Sequence, residues 1–480
     1  MFYKHSVLIN LRGSVGENMI TFYYDKSKRI PMYEQLYQYL KNAIEQNELK
    51  PNEKLPSKRQ LAQHLQISET TIESAYMQLL AEGYIRSKPR VGYFVLENLV
   101  FPKRRNHQPD FVHKEKDMYR YDFKTNMVDV ETFPYYKFTK IGRDALLDRL
   151  KDTINETDHF GLYSLREKIA DILFAFRGIE VSPDQIVVGS GSEHMISLLV
   201  LLLGRDCRII TEEPSYVKNA VLYQKYGAKV DVSPLDDYGI QLDSVRNFSA
   251  NVVHVTPSHQ FPTGRITPIS RRVELLHWAN EEANRYIVED DYDSEFRFSG
   301  NPIPALKVLD NDDKVIYMNS FSKSISPGFR VSFMVLPVAL LKRYHHSFSY
   351  FSCSVPITTQ IILESFIVSG EFEKHLNRMK INYKNKRDEM IRVLEASFGS
   401  MIQIKGMDAG LHFLVEFDTK QDEETLVQKA KSFGIRVYGL SEYYQKQPYH
   451  QKPTLVFGYS HLSIDDINQA IPMLKKAWFL

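Results

Sequence analysis

The sequence predicts an α/β protein in two parts, and three observations carry that prediction. Strand-like and helical runs alternate from about residue 123 to the end, as in a mostly parallel sheet with helices on both faces. A short module of capped helices ending in a hairpin precedes them. Between the two lies a polar stretch without periodicity.

The composition is that of a chain with real cores. Of 480 residues, 43% are hydrophobic and 25% charged, which excludes disorder as the dominant state. The longest apolar run, Leu198 to Leu203, falls far short of the roughly 20 residues a membrane helix needs, so no membrane partner is expected. Two cysteines, Cys207 and Cys353, are too few for a disulfide framework or a zinc cluster. No metal site is therefore expected, and a reducing, cytoplasmic setting fits best. A net charge of +2 names no partner, because a larger neutral domain can dilute a basic one.

Residues 1–30 show no clear period and read as an N-terminal tail, with Met19 just ahead of the first readable pattern. Residues 31–96 read as one module. Tyr33, Leu36, Leu40 and Ile44 fall on one helical face at spacings of three and four. Ser57 with Gln60 forms a capping box opening a helix over Lys58 to Gln66, and Ser68 opens another that runs to about Glu82 and breaks at Gly83. Tyr84 to Arg86 and Tyr93 to Leu96 then alternate as short strands around a tip of Pro89, Arg90, Val91 and Gly92. Residues 97–122, rich in Lys103, Arg104, Arg105 and other polar residues, read as a linker.

Residues 123–480 form the larger domain. Strands are expected at Gln185 to Val188, Arg208 to Thr211, Val252 to Thr256, Tyr286 to Glu289, Lys314 to Met318 and Val331 to Leu336. A long helix over Phe372 to Ala396 opens a smaller α+β part, about 372–480, with strands at Leu411 to Glu416 and Leu455 to Tyr459.

A helix presented to the major groove, backed by a supporting helix and a hairpin wing, is the geometry of winged helix-turn-helix DNA readers. Residues 31–96 have that order. They also resemble the GntR family, through Leu55, Pro56, Ser57, Arg59, Leu61 and Ala62, then Ser68, Thr70, Thr71, Ile72, Ala75, Tyr76, Leu79, Glu82 and Gly83, and finally Gly92, Phe94 and Val95. The resemblance implies that Ser68, Glu69, Thr70, Thr71, Glu73 and Ser74 face a double-stranded DNA operator. It also implies that Arg59 touches phosphate and that Arg86, Lys88 and Arg90 arm the wing, in keeping with the cations and hydroxyls that usually meet phosphate. Glu69 and Glu73 stand where the family often has Arg, and Arg90 where the wing usually has Gly. Acidic residues there repel phosphate but can accept from a cytosine amino group. With eight Lys and Arg against seven Glu over Pro31 to Val95, the module is barely basic.

In the larger domain a scattered set of residues makes chemical sense together around pyridoxal 5'-phosphate. That cofactor asks for an amine, a carboxylate at the pyridine nitrogen, a hydroxyl at the ring oxygen, a stacking aromatic and a phosphate cup. Lys323, in the run Ser320, Phe321, Ser322, Lys323, Ser324, is the expected Schiff-base lysine. Ser320, Ser322 and Arg330 are expected to hold the phosphate, with backbone N–H groups of Gly191 and Ser192 at the amino end of a helix. Asp290 would pair with the pyridinium nitrogen, Tyr292 with the phenolic oxygen, and Tyr216 would stack on the ring. Asp291 and Asp293 read as solvated or capping.

This set resembles the fold-type I aminotransferases, and more narrowly the MocR/GabR subfamily of GntR regulators. The narrower likeness rests on Ser258 to Gly264, on Glu289 to Phe296 and on Phe321, Ser322 and Lys323. It implies an aminotransferase-like, PLP-binding domain, a head-to-tail homodimer, and His259 or Gln260 near the ring oxygen, where simpler aminotransferases use Asn. Free aminotransferases anchor a substrate α-carboxylate with a C-terminal Arg, and the comparable strand here, Thr454 to Tyr459, has none. Lys218, Arg436 and His461 are the possible substitutes, although a lysine is a point charge rather than a fork. The tyrosine that a neighbouring subunit often lends to the phosphate is not evident before Gly161 either. Both gaps favour sensing, with at most weak or half-reaction transamination. The expected function is a PLP-dependent regulator that senses pyridoxal phosphate itself or an amine, such as γ-aminobutyrate, captured by it. The alternatives are an active aminotransferase with an appended DNA-binding module, and a DNA-binding scaffold whose larger domain only dimerises.

Overall fold

In the computed structural model the chain divides into two compact units, Met1–Glu115 and Lys116–Leu480. The structure describes residues 22, 24–25, 27–97, 119–155, 158–298, 303–446 and 452–479. Most of the expected N-terminal tail and linker, including Met19, lies outside them.

The first unit is built from α1 (Met32–Glu45), α2 (Lys58–Leu65), α3 (Glu69–Ala81) and a hairpin of β1 (Ile85–Lys88) and β2 (Gly92–Val95). Leu36 and Leu40 of α1 and Ile72, Ala75 and Leu79 of α3 are fully buried against one another. Each such Leu or Ile contributes about 1.5–3 kcal/mol, so the apolar stripe of each helix dictates its contact. The expected capping box is present: Gln60 N donates to Ser57 Oγ (3.2 Å) and Ser57 N to Gln60 Oε1 (3.1 Å). At the hairpin tip Arg90 sits at φ 63°, a left-handed conformation that costs an L-residue about 1–2 kcal/mol. This is the physical reason glycine is the usual occupant there.

The second unit opens with β3 (Tyr121–Asp122), α4 (Tyr135–Thr153), α5 (Tyr163–Arg177), β4 (Ile186–Gly189), α6 (Ser192–Leu203), β5 (Arg208–Glu213) and α7 (Val217–Lys225). It continues through β6 (Lys229–Asp236), β7 (Gly239–Ile240), α8 (Leu242–Asn247), β8 (Val252–Val255), α9 (Ile269–Asn280), β9 (Tyr286–Asp290), β10 (Val315–Ser320) and β11 (Ser332–Val335). Helices α10 (Val338–Phe348), α11 (Ile357–Val368) and α12 (Glu371–Phe398) follow. The end of the chain holds β12 (Ile402–Lys405), β13 (His412–Phe417), α13 (Glu423–Ser432), β14 (Ile435–Arg436), β15 (Tyr438–Gly439), β16 (Thr454–Gly458) and α14 (Ile464–Phe479).

The large sheet runs β4-β11-β10-β9-β8-β5-β6-β7. Neighbours from β10 to β6 are parallel, while β11 is antiparallel to both β4 and β10. Helices cover both faces: Val187, Ile209 and Met318 pack in one core cluster, Ile210, Val253 and Ile287 in another. Each of the six expected strands of this sheet is present within two residues at its start. The pattern does not predict β6, whose Lys229, Asp231, Ser233 and Pro234 break the apolar run. No helix among the described residues is long and apolar enough to cross a membrane.

The C-terminal part packs α12, α13 and α14 on the antiparallel sheet β12-β13-β16-β15. Here the expected linker end at residue 122 is corrected. Tyr121 and Asp122 pair in parallel with Ile435 and Arg436, and Tyr121 and Phe123 are buried in this part's core. Two aromatic side chains within three residues fill space that a solvated linker would leave open.

Candidate functional site

The carboxyl ends of parallel strands leave a crevice that loops line with polar side chains, and here β5, β8, β9 and β10 all deliver residues to one chamber. It measures about 200 Å³ and is lined by Lys323, Asp290, Tyr292, Tyr216, Ser192, Ser320, Ser322 and Arg330 among the residues expected from sequence.

Lys323 projects from the loop after β10. Its Nζ donates to Thr125 O (2.7 Å) and Asn126 Oδ1 (2.9 Å). Burial disfavours the ammonium form and brings the amine down to about 8, with Asp293 opposing the shift. A lysine so lowered is a competent nucleophile near neutral pH.

Asp290 ends β9 and faces two buried groups. His254 Nε2 of β8 and Asn219 Nδ2 of α7 each lie 3.5 Å from its Oδ2, and Tyr223 OH lies 2.9 Å from the other histidine nitrogen. Adjacent parallel strands set this up, because the β8–β9 register pairs Val255 with Glu289.

At the opposite end Ser320 Oγ donates to Ser322 Oγ (2.7 Å). Arg330, in left-handed backbone at φ 56°, donates from Nη2 to Ser190 O and pairs with Glu193, both at 3.0 Å. Gly191 sits at φ +92°, and a Cβ there would lie 2.7 Å from Arg330 Cζ. Only glycine lets the guanidinium lie against the first turn of α6. Hydroxyls, a guanidinium and the positive end of a twelve-residue helix make a cup for a phosphate. The donor set therefore fits pyridoxal phosphate: amine, carboxylate, hydroxyl, aromatic ring and anion cup converge in one chamber.

Several expected placements are corrected. His259 and Gln260 do not line the chamber. Gln260 is buried with Nε2 donating to Pro214 O (2.8 Å) and Phe261 O (2.7 Å), so it braces its own loop and Phe261 takes the wall position instead. His259 stands behind Tyr292, its Nδ1 within 3.0 Å of both Tyr292 OH and Asp293 Oδ2. Asp291 and Asp293 are not solvated. Both are buried, and Asp291 Oδ2 accepts from Arg177 Nε (2.8 Å) and Tyr317 OH (2.6 Å). Of the carboxylate candidates only Lys218 lines the chamber, where it pairs with Glu193. Arg436 is exposed on β14, with its guanidinium over the Tyr119 and Tyr438 rings. His461 lies outside the lining, and burial lowers the pKa of its imidazole.

Asn126, Asn219, His254, Thr256, Phe261 and Glu212 line the chamber without having been expected. His254 was detectable as a polar residue inside an apolar strand, whereas Asn126 carries no local signal. Glu212 Oε2 accepts from Thr256 N (3.1 Å) and Thr256 Oγ1 (2.7 Å), and burial raises its carboxyl pKa.

On the first unit, Glu69, Thr70, Glu73 and Ser74 are exposed along one face of α3 while Ile72, Ala75, Tyr76 and Leu79 bury the other. Arg59 is exposed on α2. Ser68 caps α3, accepting from Thr71 N (3.3 Å) and lying 2.7 Å from Thr71 Oγ1, and Ser74 Oγ donates back to Thr70 O (2.9 Å). Glu73 is held by Lys58, and Arg86 by Asn52. Lys88 lies 4.8 Å over the Phe94 ring, and Arg90 is exposed at the tip.

Residues 122–446 match the family described as aminotransferase class I and II, and residues 32–95 match the bacterial regulatory proteins of the gntR family. The chain is similar to the uncharacterized HTH-type transcriptional regulator YdeL of Bacillus subtilis, with 36% identity over 96% of this chain and 99% of that one. It is 29% identical to the probable rhizopine catabolism regulatory protein MocR of Rhizobium meliloti, over 95% of each. Among solved structures, the kynurenine aminotransferase of Pyrococcus horikoshii in complex with PMP matches with a TM-score of 0.66 and 25% identity. That match covers 75% of this chain and 91% of the other.

Proposed function

This chain belongs to the MocR/GabR-type regulators, in which a gntR-family winged helix precedes a class I and II aminotransferase domain, and on that premise we propose that its grip on DNA responds to pyridoxal phosphate held at Lys323. The observation that carries this reading is the convergence of Lys323, Asp290, Tyr292 and the Ser192, Ser320, Ser322, Arg330 cup on one chamber. The bound cofactor would supply an electrophilic carbonyl and an electron-withdrawing ring.

Lys323 offers its lowered-pKa amine to that carbonyl. Asp290, backed by His254, would keep a proton on the ring nitrogen, and Tyr216 and Phe261, which line the chamber, would hold the ring and exclude water. The output follows from what Lys323 gives up. Its Nζ now holds Thr125 O and Asn126 Oδ1, in a segment that continues in sequence from the stretch joining the two units. Engagement of the Lys323 amine in the chamber would take its Nζ away from Thr125 and Asn126, and its release would restore those bonds. An effector shifts a conformational equilibrium only through such differential contacts. Either the cofactor itself or an amine captured by it is the signal, and the regulator reads two half-sites of a cytoplasmic DNA operator as a head-to-tail homodimer.

The test uses purified full-length protein. A visible absorbance band, fixed by borohydride and absent in Lys323→Ala, should accompany a change in operator affinity on adding cofactor or amine. Should Lys323→Ala leave the cofactor response at the operator intact, this reading fails. Multiple-turnover amino transfer would instead select the active-enzyme reading.

A further inference from the structure

We propose that the larger unit carries a second small-molecule site, separate from the Lys323 chamber and shaped for an organic carboxylate with a compact apolar body. A cavity of about 270 Å³ opens between α5 and α12. One wall is apolar, formed by Leu173, Phe176, Phe321, Phe372 and Leu376. The other is polar and comes from His259 and the segment after β9, Asp293 to Arg297.

The polar wall is unmet. Arg297 Nε and Nη1, Glu295 Oε2, Ser294 Oγ and His259 Nε2 are buried atoms with no hydrogen-bond partner among the described residues. Native interiors leave only a few such groups unpaired per hundred residues, and the gathering of four such side chains around one cavity points to a polar guest. A single water takes up about 30 Å³ and does nothing for the facing aromatic wall, so the shape favours an amphiphilic ligand over solvent.

Charge sets the sign of that guest. Two acids close by have partners of their own: Asp291 pairs with Arg177, and Asp293 Oδ2 lies 3.0 Å from His259 Nδ1. Among the described residues neither forms an ion pair with Arg297, and a guanidinium stays cationic in proteins. Burial, together with Asp291 and Asp293, pushes the Glu295 carboxyl up to about 8, so near neutral pH it serves as a donor. Guanidinium N–H groups, an acid O–H and a serine hydroxyl make an acceptor-seeking set, and a carboxylate meets the guanidinium in bidentate fashion. Lys380 of α12 adds a second cation at the apolar side, with Nζ 6.0 Å from the Phe176 ring.

The site is not isolated from the chamber. Ser320 lines both cavities, and His259 contacts Tyr292 on the chamber side. A carboxylate at His259 Nε2 therefore touches the group behind Tyr292.

The probe is 4-fluorobenzoate, followed by fluorine NMR and calorimetry on the cofactor-loaded full-length protein. One saturable site per chain is expected. Arg297→Met should weaken binding at least tenfold. Ala175→Trp, at an exposed position on the rim, should block the cavity with the fold intact. Both variants should keep the visible absorbance of cofactor at Lys323, which separates this proposal from the reading of the chamber itself. Absence of saturable binding up to about 10 mM, or binding untouched by Ala175→Trp, overturns the site. Loss in Ala175→Trp but not in Arg297→Met overturns the carboxylate assignment. Should Arg297→Met not fold, Arg297→Gln, which also removes the cation, takes its place, with the same tenfold criterion.

Discussion

His254 Nε2 lies 3.5 Å from Asp290 Oδ2 while Tyr223 OH holds the other histidine nitrogen at 2.9 Å. The carboxylate that faces the chamber thus has a buried support that fixes its orientation. A charge-assisted hydrogen bond contributes about 1.5–3 kcal/mol. Asp290→Asn should therefore weaken pyridoxal phosphate binding about 10- to 100-fold, read by titrating visible absorbance. His254→Phe, which removes only the support, should cost no more than about tenfold.

Lys323 should give a distinctive pH profile. The neutral amine is the nucleophile, and with its pKa lowered to about 8 about a tenth is neutral at pH 7, against less than about a thousandth at the ordinary value. The rate of covalent cofactor capture should rise about tenfold per pH unit below 8 and flatten above it. Stopped-flow absorbance checks this; a profile still climbing steeply at pH 10 would show an unshifted lysine.

Gly191→Ala should damage the phosphate cup without unfolding the unit. The added Cβ meets Arg330 Cζ at 2.7 Å, in a backbone conformation at φ +92° that L-residues rarely adopt. We expect about 1–3 kcal/mol of local strain and at least about a tenfold loss in cofactor affinity, with circular dichroism unchanged.

Arg59→Ala should weaken DNA binding nearly equally on operator and random duplex. Loss of one phosphate contact lowers the slope of log affinity against log salt by about 1. Fluorescence anisotropy across a salt series measures it. A loss confined to operator DNA would instead place Arg59 on a base edge.

Much of the chamber was legible in the chain, because strand ends and the loops after them are local features. Ser320 ends β10 with Ser322 and Lys323 directly after it, and Asp290 ends β9, so recognising the strands placed those side chains at the crevice. The loop from Ser258 to Gly264 shows where local reading fails. Which of His259, Gln260 and Phe261 reaches the chamber depends on Gln260 bonding to Pro214 O, across 46 positions of sequence. Asp291 looked like a solvated acid for the same reason, since its partner Arg177 lies 114 positions away.

Six strands of the large sheet, the winged module and the residue types that suit an aldehyde cofactor were determined by the sequence alone, since helical and strand periods, caps and turns act over a few neighbouring residues. The tertiary structure decided which polar groups meet. It set His254 and Asn219 against Asp290, put Thr125 and Asn126 on Lys323, and left Arg297 and Glu295 facing a cavity. Those pairings are matters of distance between strands and loops far apart in the chain, and electrostatic and hydrogen-bonding energies depend on distance and burial, neither of which a residue order contains.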